Sequence, residues 1–170
     1  MRTKVNGFTL IELIMTLAVA SLILGVALPS LAGVTRRTHV RTTTATLVTS
    51  LASARLSAVA RNTAVSVCPS SDGETCRQDG VWDAGWIVFE DASRSGRPVA
   101  GVLSQARPSG ARVQTRSSTA RPLVRFLPNG AASGTNTTIE ICSEGIHRAV
   151  IVNNAGRARV DASAAARLCS

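Results

Sequence analysis

At 170 residues, 45% of them hydrophobic, the chain has room for one domain of modest size with its own core. Aromatics make up only 3% and Tyr is absent, so that core must be built mainly from Val, Ile, Leu and Ala. The formal net charge of +9 favours anionic partners, such as nucleic acid, lipopolysaccharide or an acidic protein surface, over cationic ones.

Residues 1–7 form a short leader with Arg2 and Lys4, ending at Gly7. An apolar run follows over 8–28 with one charge, Glu12, and stops at Pro29. At about 1.5 Å rise per residue this run matches a bilayer core of roughly 30 Å. The basic leader predicts a cytoplasmic N-terminus, with the remainder of the chain across the membrane. An ordinary secretory signal peptide fits poorly: the apolar stretch is too long and no convincing Ala-x-Ala site follows it. The break in chemistry lies before the run, at Gly7-Phe8.

Helical spacing continues past Pro29, with Val40, Leu47, Val48, Leu51, Ala54, Ala58 and Val59 on one face and Arg36, Arg37, Arg41, Arg55 and Arg61 among them. The β-branched run Thr42-Thr43-Thr44 lowers local propensity. The pattern predicts one helix over about 8–61, kinked or loosened near Pro29 and stopped at Asn62. Its first half, 8–29, is the membrane segment; its second, 30–62, is amphipathic.

The period then shortens. Runs at 64–68, 85–90, 98–103, 111–115, 123–127, 137–142, 149–152 and 157–160 read as antiparallel strands. Turn clusters separate them, among them Asp79-Gly80, Ser95-Gly96, Pro128-Asn129-Gly130 and Asn153-Asn154-Ala155-Gly156. The expected fold class is α+β: one long helix packed on an antiparallel sheet that forms a head over 63–170. The polar loops at 92–97 and 131–136 are expected to be mobile. Trp82 and Trp86 are expected in the core, with indole N–H groups in need of partners.

From residue 31 onward there are 17 Arg, no Lys and 9 acidic residues. All four cysteines, Cys68, Cys76, Cys142 and Cys169, lie beyond the apolar run, as suits disulfides in an oxidising compartment. Three pairings are possible. The favoured one joins Cys68 to Cys76 across a short loop and Cys142 to Cys169, fastening the C-terminal tail to a strand. Zinc is disfavoured, because the cysteine spacings are wrong and His39 and His147 stand alone. No catalytic constellation, cofactor motif or phosphate loop is present, so the chain does not read as an enzyme.

Gly7-Phe8-Thr9-Leu10-Ile11-Glu12, with Pro29 further on, resembles the class III leader of type IV pilins and type II secretion pseudopilins. The resemblance implies cleavage after Gly7 by a prepilin peptidase and methylation of the new Phe8 terminus. It also implies a partner for Glu12, whose charge at membrane depth costs about 2.5–3.5 kcal/mol: the amino terminus of a neighbouring subunit. The alternative is a protonated Glu12 near the interface. The segment Trp82-Asp83-Ala84-Gly85-Trp86-Ile87-Val88-Phe89-Glu90-Asp91 is similar to a strand of GspH/FimT pseudopilins. So are Phe126 to Gly130 and Ile139 to Cys142 to their C-terminal strands.

Gly156-Arg157-Ala158-Arg159 matches the Gly-Arg-x-Arg motif with which FimT-type proteins of natural transformation contact DNA. Two arginines two apart on a strand share a side, about 6–7 Å from one another, a spacing suited to successive phosphates. Gly156 is expected to let the turn approach the ligand; Arg148, Arg167, Arg121 and Arg125 are candidates to widen the patch. The implied function is a minor pilin that starts as a single-pass inner-membrane protein with a periplasmic head. It joins other pilins in a surface fibre and binds double-stranded DNA without sequence preference. The alternatives are a GspH-type pseudopilin of type II secretion and a pilus-assembly minor pilin that does not touch DNA.

Overall fold

The computed structural model describes residues 9–110, 112–163 and 167–169, without the side chains of Leu24 and 26–32. Gly7 and Phe8 therefore lie outside the described residues. The chain divides into two compact units, Met1–Thr35 and Arg36–Ser170. One helix, α1 (Leu10–Arg61), contributes to both.

In the first unit, the Thr9 carbonyl accepts the Leu13 N–H at 3.2 Å and the Thr9 hydroxyl accepts the Glu12 N–H at 3.4 Å. Thr9 is thus the N-cap of α1, and Thr9-Leu10-Ile11-Glu12 has the spacing of a capping box. Glu12 also places negative charge in the first turn, where the helix dipole favours it. The helix runs through Pro29 without a break. Leu10, Ile11, Leu13, Ile14, Met15, Leu17, Val19, Leu22 and Ile23 are all exposed. Among the described residues, no helix is long and apolar enough to cross a membrane. The predicted span is therefore not found among them; Phe8 and the side chains of Leu24 and 26–28 fall outside.

In the second unit, Val40, Leu47, Leu51, Ala54 and Ala58 form the fully buried stripe of α1, while Val59 is exposed. Thr43 and Thr44 are buried as well. Their hydroxyls are satisfied: Thr44 donates to the Val40 carbonyl at 2.6 Å, and Thr43 accepts the Ser109 N–H at 2.8 Å. The helix ends where expected. Asn62 takes a positive φ of 52°, its N–H donates to the Val59 carbonyl, and the Thr63 N–H donates to that of Ala58. This is the Schellman arrangement, with Asn in the left-handed position.

Eight strands follow: β1 (Val65–Pro69), β2 (Trp86–Glu90), β3 (Val102–Ala106), β4 (Gln114–Ser117), β5 (Val124–Phe126), β6 (Thr137–Ser143), β7 (Ile146–Val152) and β8 (Ala158–Asp161). They make two four-stranded antiparallel sheets, not one. Their orders are β3-β2-β1-β5 and β4-β6-β7-β8. The α1 stripe packs with residues of both sheets, including Val65, Val67, Val88, Phe126, Ile139, Ile141, Val150 and Val152, in one core. Trp82 and Trp86 belong to it, with ring centroids 6.4 Å apart. The Trp82 indole donates to the Ser117 hydroxyl at 2.9 Å, whereas that of Trp86 has no partner among the described residues.

Three strands sit away from their predicted positions, among them β4 at Gln114–Ser117 in place of 111–115. β3 starts at Val102, because Val99 is 84% exposed and Gly101 adopts φ 92°. β7 starts at Ile146, so His147 lies in a strand and not in a turn. The tight turn Glu144-Gly145, with both φ positive, closes the Ser143–Ile146 pair. Both loops expected to be mobile are hydrogen-bonded to their surroundings. The buried carboxylate of Asp91 accepts from the Ser66 hydroxyl at 2.7 Å, the Gly96 N–H at 3.1 Å and Arg125 Nε at 2.8 Å. The Ser133 N–H donates to the Arg125 carbonyl, and the Ala132 N–H to that of Asn154. Both disulfides have the favoured pairing, Cys68–Cys76 and Cys142–Cys169.

Asp91→Ala strands a mostly buried guanidinium and two further donors. It is expected to cost about 3–5 kcal/mol of unfolding free energy, read as a lower urea midpoint of the oxidised protein.

Candidate nucleic-acid interface

Strand β8 is the edge of its sheet and pairs with β7 through Val152–Ala158, Ile151–Arg159, Val150–Val160 and Ala149–Asp161. The turn at 153–156 joins them. Its closure uses the Gly156 N–H on the Asn153 carbonyl at 2.9 Å and the Arg157 N–H on Asn153 Oδ1 at 2.9 Å. Arg157 precedes the strand proper, but its carbonyl accepts the Asn153 N–H at 3.1 Å, which extends the pairing by one residue. Alternation then sets Ala158 on the core side with Val152, and Arg157 and Arg159 together on the outer side.

Arg157 and Arg159 are both exposed, and neither forms an ion pair among the described residues. Many other arginines are committed to partners. Arg36 and Arg112 share Glu144, Arg116 meets Asp83, Arg77 meets Asp79, Arg61 meets Glu90 and Arg125 meets Asp91. Arg121 donates to the Thr135 carbonyl at 2.7 Å. Arg125 is therefore a structural residue and not a widening of the patch.

The remaining predicted residues separate. Arg148 pairs with the buried Ile141 and is three residues from Ile151, so alternation directs it to the face opposite Arg157 and Arg159. Arg167 lies with them. The Arg167 and Leu168 N–H groups donate to Glu140 Oε2 at 2.9 and 2.8 Å. Glu140 pairs with Ala149, and Cys142 with His147, on the outer face. The Cys142–Cys169 bond and Glu140 thus hold the tail, with Arg167, over the side that carries Arg157 and Arg159.

Gly156 has a packing role that the sequence did not suggest. It is buried at φ 74°, and an added Cβ would run into the Gly130 carbonyl oxygen. The turn needs glycine because it abuts the neighbouring turn at 127–131.

Glu140, Cys142 and His147 are close enough to suggest a metal site, yet the Cys142 sulfur is consumed by its disulfide. What is left is a His147–Glu140 contact of 3.4 Å. A groove of about 740 Å³ beside it is lined by Asp83, Arg112, Glu144 and His147, with no nucleophile–base pair. Glu140 as a tail anchor escaped the sequence reading. Its only signal is an acid set between Ile139 and Ile141.

Burial opposes ionisation of Glu140, but the Leu168 and Arg167 N–H groups and His147 outweigh it and hold the carboxyl below its usual range. The stability it contributes is present above the unfolded value of about 4.3 and is lost as pH falls through the lower folded value. Glu140→Gln is therefore expected to lower the urea midpoint at pH 7, with the gap to the native chain narrowing as pH falls below about 4.3.

Comparison with known proteins places these features in a lineage. Residues 43–156 match the family described as type II transport protein GspH, and residues 2–28 match the prokaryotic N-terminal methylation motif. Arg157 and Arg159 fall just past the first match. The Pseudomonas aeruginosa type IV minor pilin FimU superposes with a TM-score of 0.65 at 25% identity. That alignment covers 80% of this chain and 98% of the other. A second crystal form of FimU gives 0.57 at 22%, covering 79% and 99%. No curated protein matches in sequence. The helix, its N-terminal motif and the antiparallel sheets are those of a pilin-like structural protein, and the chain belongs to the GspH family.

Proposed function

We propose that this protein is a minor pilin that captures extracellular double-stranded DNA. Cleavage after Gly7 frees Phe8 for methylation. The apolar residues over 8–28 then hold the subunit in the inner membrane until it enters a fibre with other pilins. The Thr9 cap fixes the start of α1 close to the new terminus, and Glu12 is set to meet the amino group of a neighbouring subunit. Once in the fibre, the head offers DNA the outer side of the β7–β8 hairpin.

The single observation that carries the DNA reading is the pair Arg157 and Arg159: exposed, on one face, at a sheet edge, with no carboxylate to satisfy them among the described residues. Guanidiniums in that state bind phosphate oxygens and release counterions without reading bases. Arg167, held nearby by the tail, adds a third contact. Because nothing reaches into a groove, capture is indifferent to sequence, as suits uptake of foreign DNA.

A pseudopilin of a type II secretion system is the second reading. It is favoured by the extent of the family match, which covers 43–156 and leaves the two arginines out. In that case the same edge meets an acidic protein surface.

Titration of duplex DNA with the full chain in neutral detergent, across salt concentrations, separates the two. Arg157→Ala with Arg159→Ala is expected to weaken binding to every sequence alike and to lower the slope of log K against log salt by about 1.8. Arg148→Ala, on the opposite face, is expected to leave that slope unchanged. Equal affinity and slope in the native and doubly substituted chains would retire the DNA reading in favour of the secretion one.

A further inference from the structure

Arg55 is the one arginine of the second half of α1 that reaches both turns at this end of the head. It projects from the helix between the buried Ala54 and Ala58 turns and is itself half-buried. Its Nε donates to the Gly130 carbonyl at 2.8 Å, and its Nη2 to the Ala155 carbonyl at 3.2 Å. One planar guanidinium therefore ties α1 to the turn at 127–131 and to the turn at 153–156 at once. Both turns are built to receive it. Gly130 and Gly156 have positive φ of 78° and 74°, and a Cβ on either would crowd Arg55. The same Gly130 carbonyl that accepts Arg55 is the one that Gly156 abuts.

We infer that Arg55 is a positioning residue that sets the turn from which Arg157 and Arg159 emerge, and that it does not contact DNA itself. This rests on the DNA reading above. Two donors fixed in one plane meet two carbonyls of different turns, which an ammonium on a flexible stem does not reproduce. Two of its five N–H donors are spent on these backbone oxygens, one in each turn. Glycine at the head of the Gly-Arg-x-Arg segment then has a structural purpose: it lets the second turn close onto the first under the clamp. Sequence shows no sign of this, because Arg55 is 75 residues from Gly130 and 100 from Ala155.

The test uses the full chain in neutral detergent with Arg55→Lys, which keeps the charge, and Arg55→Met, which keeps the apolar stem. Amide exchange is followed at Gly156 and Arg157, with the β1 and β2 amides as a control for intact folding. Protection at Gly156 and Arg157 is expected to fall about tenfold in both variants while the control amides stay unchanged. DNA affinity at fixed salt is expected to fall by a similar factor in both. Recovery of native affinity by Arg55→Lys, with a lower salt slope in Arg55→Met alone, would show a direct phosphate contact and overturn the inference. Unchanged exchange in both variants would overturn it as well. If the native chain fails to bind DNA, the DNA reading falls, and the exchange measurement still decides whether Arg55 holds the turn.

Discussion

The stripe Val40, Leu47, Leu51, Ala54 and Ala58 is the contact on which the head depends. Two four-stranded sheets share no hydrogen-bonded ladder, so the residue classes they bury have to meet on a common surface. That surface is the second half of α1, and the three parts close one core. The stripe ends in small residues. Ala54 and Ala58 let the backbone of the last turns approach closely, and Arg55 between them reaches the turns at 127–131 and 153–156. Hydrophobic contact places the helix, and hydrogen bonds at its end fix the loops.

An arginine-rich chain must keep most of its cations from repelling one another. Six of them here are paired with carboxylates among the described residues. Asp91 binds Arg125, Asp83 binds Arg116, and Glu144 serves both Arg36 and Arg112. The buried members hold loops and strand ends, where a guanidinium's several donors suit scattered carbonyls. The outer edge of β8 carries two of the arginines that are unpaired among the described residues. Arg157 and Arg159 stand at a strand margin that also lacks a ladder partner, so charge and open edge coincide. A charged edge discourages strand addition and attracts polyanions. The disulfide at Cys142 and the carboxylate of Glu140 bring the tail over the same side.

Local features of this fold were legible because local chemistry sets them. The α1 stripe, the stop at Asn62, the eight strands, the cysteine pairing and the buried tryptophans all follow from periodicity, turn residues or loop length. What was not legible depends on residues far apart in the chain. Two sheets in place of one follow from strand order, which periodicity does not encode. The shift of β3 arises because an edge strand with Ser104 and Gln105 gains its definition from β2, not from its own apolarity. The close approach of Gly156 to Gly130 joins two turns far apart in the chain. Arg148 seemed to join Arg157 and Arg159 from its number alone, yet the register of β6, β7 and β8 turns it to the other face.

The central claim is that polyanion contact is confined to the outer side of the β7–β8 hairpin and the tail held over it. Arginine-selective chemical modification of the full chain, with each site's reactivity read by mass spectrometry with and without duplex DNA, tests it directly. Protection by DNA at Arg157 and Arg159, while Arg148, Arg37 and Arg41 stay as reactive as before, is the result this account requires. Equal protection across all of these residues, or none at Arg157 and Arg159, would contradict it.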